Sequence, residues 1–84
     1  MLRGIVIGNI VSTRKQEALV GSKFMEVQLM EKGEKIEKYI IAVDSVGAGI
    51  GEEVLLTIGS SARLALSHPN VPTDAVIVGI VDPQ

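Results

Sequence analysis

The chain has no cysteine and no tryptophan, and its 84 residues include one phenylalanine, one tyrosine, one histidine and three prolines. Each scarcity removes a class of protein. Without thiols there is neither a disulfide framework nor a thiolate metal site, and zinc would need more ligands than the lone His68 supplies. A Ser/His/Asp triad would have to use that same His68, which sits beside Pro69 in an expected surface loop, with no G-x-S-x-G elbow to accompany it. Single-stranded nucleic acid is gripped by aromatic platforms in a basic groove. Phe24, Tyr39 and a net charge of −2 offer neither, so nucleic acid is not an expected partner. No apolar run approaches the roughly 20 residues of a membrane helix, and no membrane partner is expected. The opening MLRGIVIGNIV is too short and too glycine-interrupted for a signal peptide, which makes the cytoplasm the expected location. No catalytic, cofactor-binding or metal-binding residue is assigned.

What the chain does have is aliphatic bulk. Hydrophobic residues make up 46% of it while aromatics are 2%, so the excess is largely Val and Ile, which favour strands over helices. Five strands are expected, over residues 2–11, 24–30, 36–43, 53–58 and 75–81. In the second, Met25, Val27 and Leu29 alternate inward with Glu26 and Gln28 outward. Glu31-Lys32-Gly33-Glu34 reads as a hairpin turn to an antiparallel third strand. Residues 12–22 read as a loop or long turn. Gly59-Ser60-Ser61 reads as the serine-capped entrance to a helix of about two turns over residues 62–67, ended by His68-Pro69. The expected fold is mainly β: one domain over residues 1–84, a small five-stranded barrel resembling the oligonucleotide/oligosaccharide-binding type in strand count, with one short helix between strands four and five.

Strands one and five carry more apolar surface than one barrel interior can cover. In AVIVGIV, Val76, Val78 and Ile80 take one face, Ala75, Ile77 and Val81 the other, and neither carries a charge. A small antiparallel domain usually keeps one face of each strand wet. Copies of the same chain are therefore expected to cover the second face, with Ile5, Ile7, Val76, Ile77, Val78 and Ile80 as interface candidates.

Two loops invite chemistry. Val46-Gly47-Ala48-Gly49-Ile50-Gly51-Glu52 is glycine-rich, but its G-x-G-x-G spacing is not the dinucleotide fingerprint, a strand rather than a helix follows, and a phosphate would face Glu52 and Glu53. The glycines are better read as allowing a tight path and close backbone approach. Asp44, Glu52, Glu53, Asp74 and Asp82 lie near strand ends, where carboxylates ordinarily serve turns and solvated tips. In Gly59-Ser60-Ser61-Ala62-Arg63 the serines suit helix capping, and Arg63 suits a bidentate grip on a carboxylate or carbonyls of a neighbour.

Together GIVIGNIVSTRK at the start, LVGSKFMEVQ, AVDSVGAGIGEEVL, GSSAR and PTDAVIVGIVD resemble the bacterial microcompartment vertex proteins of the EutN/CcmL type across nearly the whole chain. One departure is Phe24-Met25, where that family more often has paired leucines; the hairpin over residues 31–38 is variable in the family. The resemblance implies a homopentamer, without enzymatic activity or cofactor, that caps the vertices of a polyhedral shell and meets hexameric facet tiles. Within such a ring, the small residues Gly47, Ala48, Gly49, Gly59, Ser60 and Ser61 are expected towards the axis, where several backbones can converge, Arg63 at a contact between copies, and the basic Arg14 and Lys15 at the edge that docks into the tiles. The number five comes from the resemblance; the apolar strand faces say only that copies associate. The rival readings are an oligomeric β-barrel scaffold or a binding module outside any shell.

Overall fold

β-branched residues alternating along the chain build five strands: β1 (Leu2–Ile10), β2 (Phe24–Glu31), β3 (Glu34–Asp44), β4 (Glu53–Ile58) and β5 (Ala75–Ile80). The computed structural model describes residues 1–12, 15–60, 62–66 and 73–83, without the side chain of Arg63. The strands close into a barrel in the order β1-β2-β3-β5-β4. All neighbouring pairs are antiparallel except β3 and β5, whose parallel ladder has two rungs, Val43↔Val76 and Asp44↔Ile77.

The hairpin between β2 and β3 is tighter than expected. Glu31 pairs with Glu34, leaving Lys32-Gly33 as a two-residue turn, so β3 begins two residues before the expected Ile36. Both turn residues are left-handed, at φ 53° and 80°, the geometry that matches the twist of the flanking strands. Where β1 passes β2, a side chain on Gly4 would stand 2.5 Å from Val27 Cγ1 and 2.7 Å from the Gln28 carbonyl oxygen. Only glycine permits that approach.

The interior holds Val6, Met25, Val27, Ala42, Ala48, Val54, Leu56, Ala75 and Ile77, with Leu2, Leu29 and Ile40 packed against them. The β2 alternation is as expected, Met25 and Val27 being fully buried. Burying one such side chain is worth about 1.5–3 kcal/mol, and this set is contributed by all five strands. A second cluster lies outside the wall: Val43, Val76 and Ala62, flanked by Phe24, Leu66 and Val78.

That outer cluster corrects two expectations. The two-turn helix is a single 3-10 turn, Ala62–Ala65; so short a segment does not repay the cost of nucleating an α-helix. His68-Pro69, its expected stop, lies outside the described residues. This turn packs on β5, so Val76 is covered by the chain itself and not by a neighbouring copy. A further 3-10 turn, Glu17–Leu19, lies within the segment expected to be a loop.

Three register shifts interrupt the ladders: one between β2 and β3, where Gln28 pairs with Tyr39 but Met30 with Lys35, and a one-residue bulge on each of β1 and β5. On β1, Val6 pairs with Val27 and Gly8 with Glu26, leaving Ile7 as the extra residue. On β5, Ile77 pairs with Leu56 and Gly79 with Leu55, leaving Val78 as the extra residue. Ile80 therefore stands opposite the buried Val54 and no longer shares the parity of Val76.

Candidate functional site

The glycine-rich loop after β3 is organised by Asp44. Its carboxylate, with the side chain 1% exposed, accepts hydrogen bonds from the backbone N–H groups of Val46 (3.0 Å), Gly47 (3.1 Å) and Ala48 (2.9 Å). Lys23 Nζ stands 3.8 Å from Asp44 Oδ2 and donates to the Ala48 carbonyl at 3.3 Å. The Ser45 hydroxyl donates to the Ile77 carbonyl at 2.6 Å, and Glu52 Oε1 accepts from the Gly49 N–H at 2.6 Å. Gly51 N–H donates to the Val6 carbonyl at 2.8 Å, and Val6 N–H to the Glu52 carbonyl at 3.0 Å, tying the loop to β1. The N–H groups a phosphate would need are thus taken up by two of the chain's own carboxylates. Asp44 was expected to be a turn residue or solvated tip; it is a buried turn-former. The signal in the sequence was an aspartate at a strand end, followed by small residues whose N–H groups it can reach.

Ala48 is fully buried in the interior cluster and plugs the barrel, so it does not face an axis. Gly47, Gly59 and Ser60 are exposed and Gly49 half-buried, while Ser61 lies outside the described residues. The two glycine turns flank β4 at its opposite ends, roughly 20 Å apart at 3.3 Å per residue. They do not form one cluster.

The interface candidates separate in the same way. Ile77 is fully buried in the interior, so it is a core residue with nothing to offer a neighbour. Val78 is half-buried beside the outer cluster, Ile5 is half-buried, and Ile7 and Ile80 are 40% and 36% exposed. The side chain of Arg63 and all of Arg14 lie outside the described residues. Lys15 Nζ donates to the Ser12 carbonyl at 2.8 Å and stands 5.9 Å from the centre of the Phe24 ring, a cation–π distance.

Two surfaces went unread in the sequence. On the outer wall of β3, Tyr39 and Ile41 are about half exposed, at 48% and 54%, opposite Gln28 and Glu26 of β2. The phenol donates to Glu37 Oε2 at 3.4 Å. The Glu37 charge, with a smaller contribution from Glu26, holds the phenol above its usual value of 10.0. The period-two set Glu37, Tyr39, Ile41 carried this signal. Elsewhere, where β1 starts and β2 ends, a cleft of about 330 Å³ is lined by Met1, Leu2, Arg3, Met30, Lys32, Gly33 and Leu55. Arg3 lies between Met30 and Leu55 in the register and forms an ion pair with Glu53. No cluster of metal-ligating side chains occurs among the described residues, and none of the described helices is long and apolar enough to cross a membrane.

The described residues present an exposed apolar pair on β3 and an apolar cleft beside β1, and known proteins share this barrel. The sequence profile described as ethanolamine utilisation protein EutN/carboxysome matches residues 1–82. The chain is 44% identical over 80 residues to the carboxysome shell vertex protein CcmL of Gloeobacter violaceus, covering 94% of this chain and 80% of that one. It is 46% identical over 83 residues to the bacterial microcompartment shell vertex protein GrpN of Rhodospirillum rubrum, covering 98% and 93%. The solved structure of GrpN, a pentameric microcompartment shell protein from Rhodospirillum rubrum, superposes with a TM-score of 0.88 at 43% identity, over 99% of this chain and 95% of that one. A family match over residues 1–82, relatives matched over 80% and 93% of their own length and a shared barrel converge: this chain belongs to the EutN/CcmL family.

Proposed function

We propose that five copies of this chain close into a ring that caps the vertices of a polyhedral microcompartment shell. The observation that carries this reading is the near-complete superposition on a pentameric shell protein, supported by relatives that are shell vertex proteins and match over most of their length. The role is structural and not catalytic. Physical chemistry supplies the reason for association. Tyr39, Ile41, Ile7, Ile50 and Leu55 leave apolar surface on several sides of one small barrel, and a repeated head-to-tail contact that closes on itself generates a ring. Flat facets of hexagonal tiles cannot close a surface; five-fold units supply the missing curvature.

The partners in this reading are four further copies and the hexameric tiles of the facets. Gly47, Gly49, Gly59 and Ser60 face the axis, where small residues let several backbones converge. Ile5, Ile7, Val78, Ile80 and Arg63 serve contacts between copies, and Arg14 and Lys15 serve the tile edge. Native mass spectrometry of the intact protein tests the ring. A species near 45 kDa, five times the 8.9 kDa chain, is expected; two or six copies would overturn the vertex role. Co-production with hexameric tiles should give closed shells, and closure that is unchanged without this chain would refute capping.

A further inference from the structure

We propose that the ring contact joins two different surfaces of the barrel: Tyr39 and Ile41 of one copy seat against the Leu2, Met30 and Leu55 cleft of the next, with Glu37 and Glu26 facing Lys32 and Arg3. This rests on the ring reading above and names the contact that would make it.

The two surfaces are opposite in charge and both apolar at the centre. One is apolar with an acidic border: Tyr39 and Ile41 are about half exposed on β3, with Glu37 two residues before Tyr39 and Glu26 opposite Ile41. The other is a cleft of about 330 Å³ with apolar walls and two cations among its lining. A space of that size admits a phenol ring, which buries a large area with few rotatable bonds. Arg3 already holds Glu53, but its side chain is 48% exposed, and Lys32 stands on the tip of an exposed turn. The surfaces also face different directions. The cleft centres on β1, between β4 and β2, while Tyr39 and Ile41 stand on β3, two strands further round a closed five-stranded wall. A contact between unlike surfaces that face different ways repeats head to tail, whereas a self-complementary one stops at two copies.

The test exploits that asymmetry. Tyr39→Arg and Leu55→Asp each spoil one surface and leave the other intact; neither side chain belongs to the buried core, Tyr39 being 48% and Leu55 37% exposed, and circular dichroism checks that each barrel still folds. Each variant alone should be monomeric by native mass spectrometry. An equal mixture should yield a heterodimer, because the spared cleft of the Tyr39→Arg copy meets the spared Tyr39 of the Leu55→Asp copy. Ile41→Lys should behave as Tyr39→Arg does and serves if that variant misfolds. Tyr39 is the sole tyrosine and there is no tryptophan, so fluorescence reads this surface alone. Acrylamide quenching should fall severalfold when dilute monomers are concentrated into the ring. A wild-type ring of five whose Tyr39→Arg variant still assembles, or two monomeric variants that never pair on mixing, would overturn this contact while leaving the vertex role standing. A wild-type protein that never forms five copies would overturn the vertex role itself.

Discussion

Where β3 ends, residues 45–52 wind around a carboxylate that accepts three N–H groups, and Ala48 fills the barrel mouth. Where β3 begins, the Lys32-Gly33 turn stands free over an apolar cleft, with a lysine in the left-handed region that suits asparagine or glycine better. The first end is finished from within: its polar groups meet one another, and what it offers a partner is a fixed shape carrying the exposed Ile50. The second is left incomplete, with hydrophobic walls exposed and backbone strain uncorrected. Internal satisfaction marks a part that must hold its shape, and incompleteness marks a part shaped for something outside the chain.

The comparison breaks first at Asp44. Asp44→Ala leaves three N–H groups without their acceptor, but two of them lie in exposed bonds that water can replace. The expected loss is about 1–3 kcal/mol in a urea melt. An unchanged midpoint would show that the loop does not depend on this carboxylate. At the other end the sign reverses. Lys32→Asn should stabilise the isolated barrel by about 0.5–1 kcal/mol by relieving the left-handed penalty, read from melts at concentrations below assembly. A loss there would mean that the lysine side chain supports the turn. Lys23→Met should cost less, about 0.3–0.8 kcal/mol, because the lysine is more than half exposed and its pairing with Asp44 is screened. The smallest effect is at Tyr39. Its phenol is held above 10.0 chiefly by Glu37, so the folded chain favours the protonated form. That contribution is present below pH 10 and is lost as the pH rises through the raised folded value. Glu37→Gln should bring the absorbance titration at 295 nm back down towards 10.0; an unmoved curve would assign the effect elsewhere.

Strand number and the β2 alternation were legible because period-two patterning reports burial directly; the order β1-β2-β3-β5-β4 was not, because alternation does not say which strands are neighbours. Nor was β5 legible. Ala75, Val76 and Ile77 are all apolar, and alternation cannot say which side of a doubly apolar strand faces in. The structure puts Ile77 inside and lays Ala62 over Val76. Ile80 was misplaced because a bulge at Val78 inserts one residue, and nothing in a run of Val and Ile marks where such an insertion falls. Ala48 lay among glycines and was read with them as surface, yet its methyl closes the interior. The Asp44 network needed knowledge of how the loop turns back, and the contribution of Lys23 comes from a segment 21 positions earlier. The surface on β3 was within reach, since Tyr39 and Ile41 share one parity with Glu37.

The two-rung ladder between β3 and β5 has a consequence for how the barrel fails. Its rungs join residues more than 30 positions apart along the chain, so closing them demands a larger chain-entropy cost than any hairpin does. The Ser45 hydroxyl on the Ile77 carbonyl acts there as a clasp beside the seam. When the molecule breathes, this is where the cylinder unrolls into a sheet with two raw edges, each ready to pair with a stranger. Proteolysis and clumping should therefore start from this seam, while the β1-β2-β3 meander still holds.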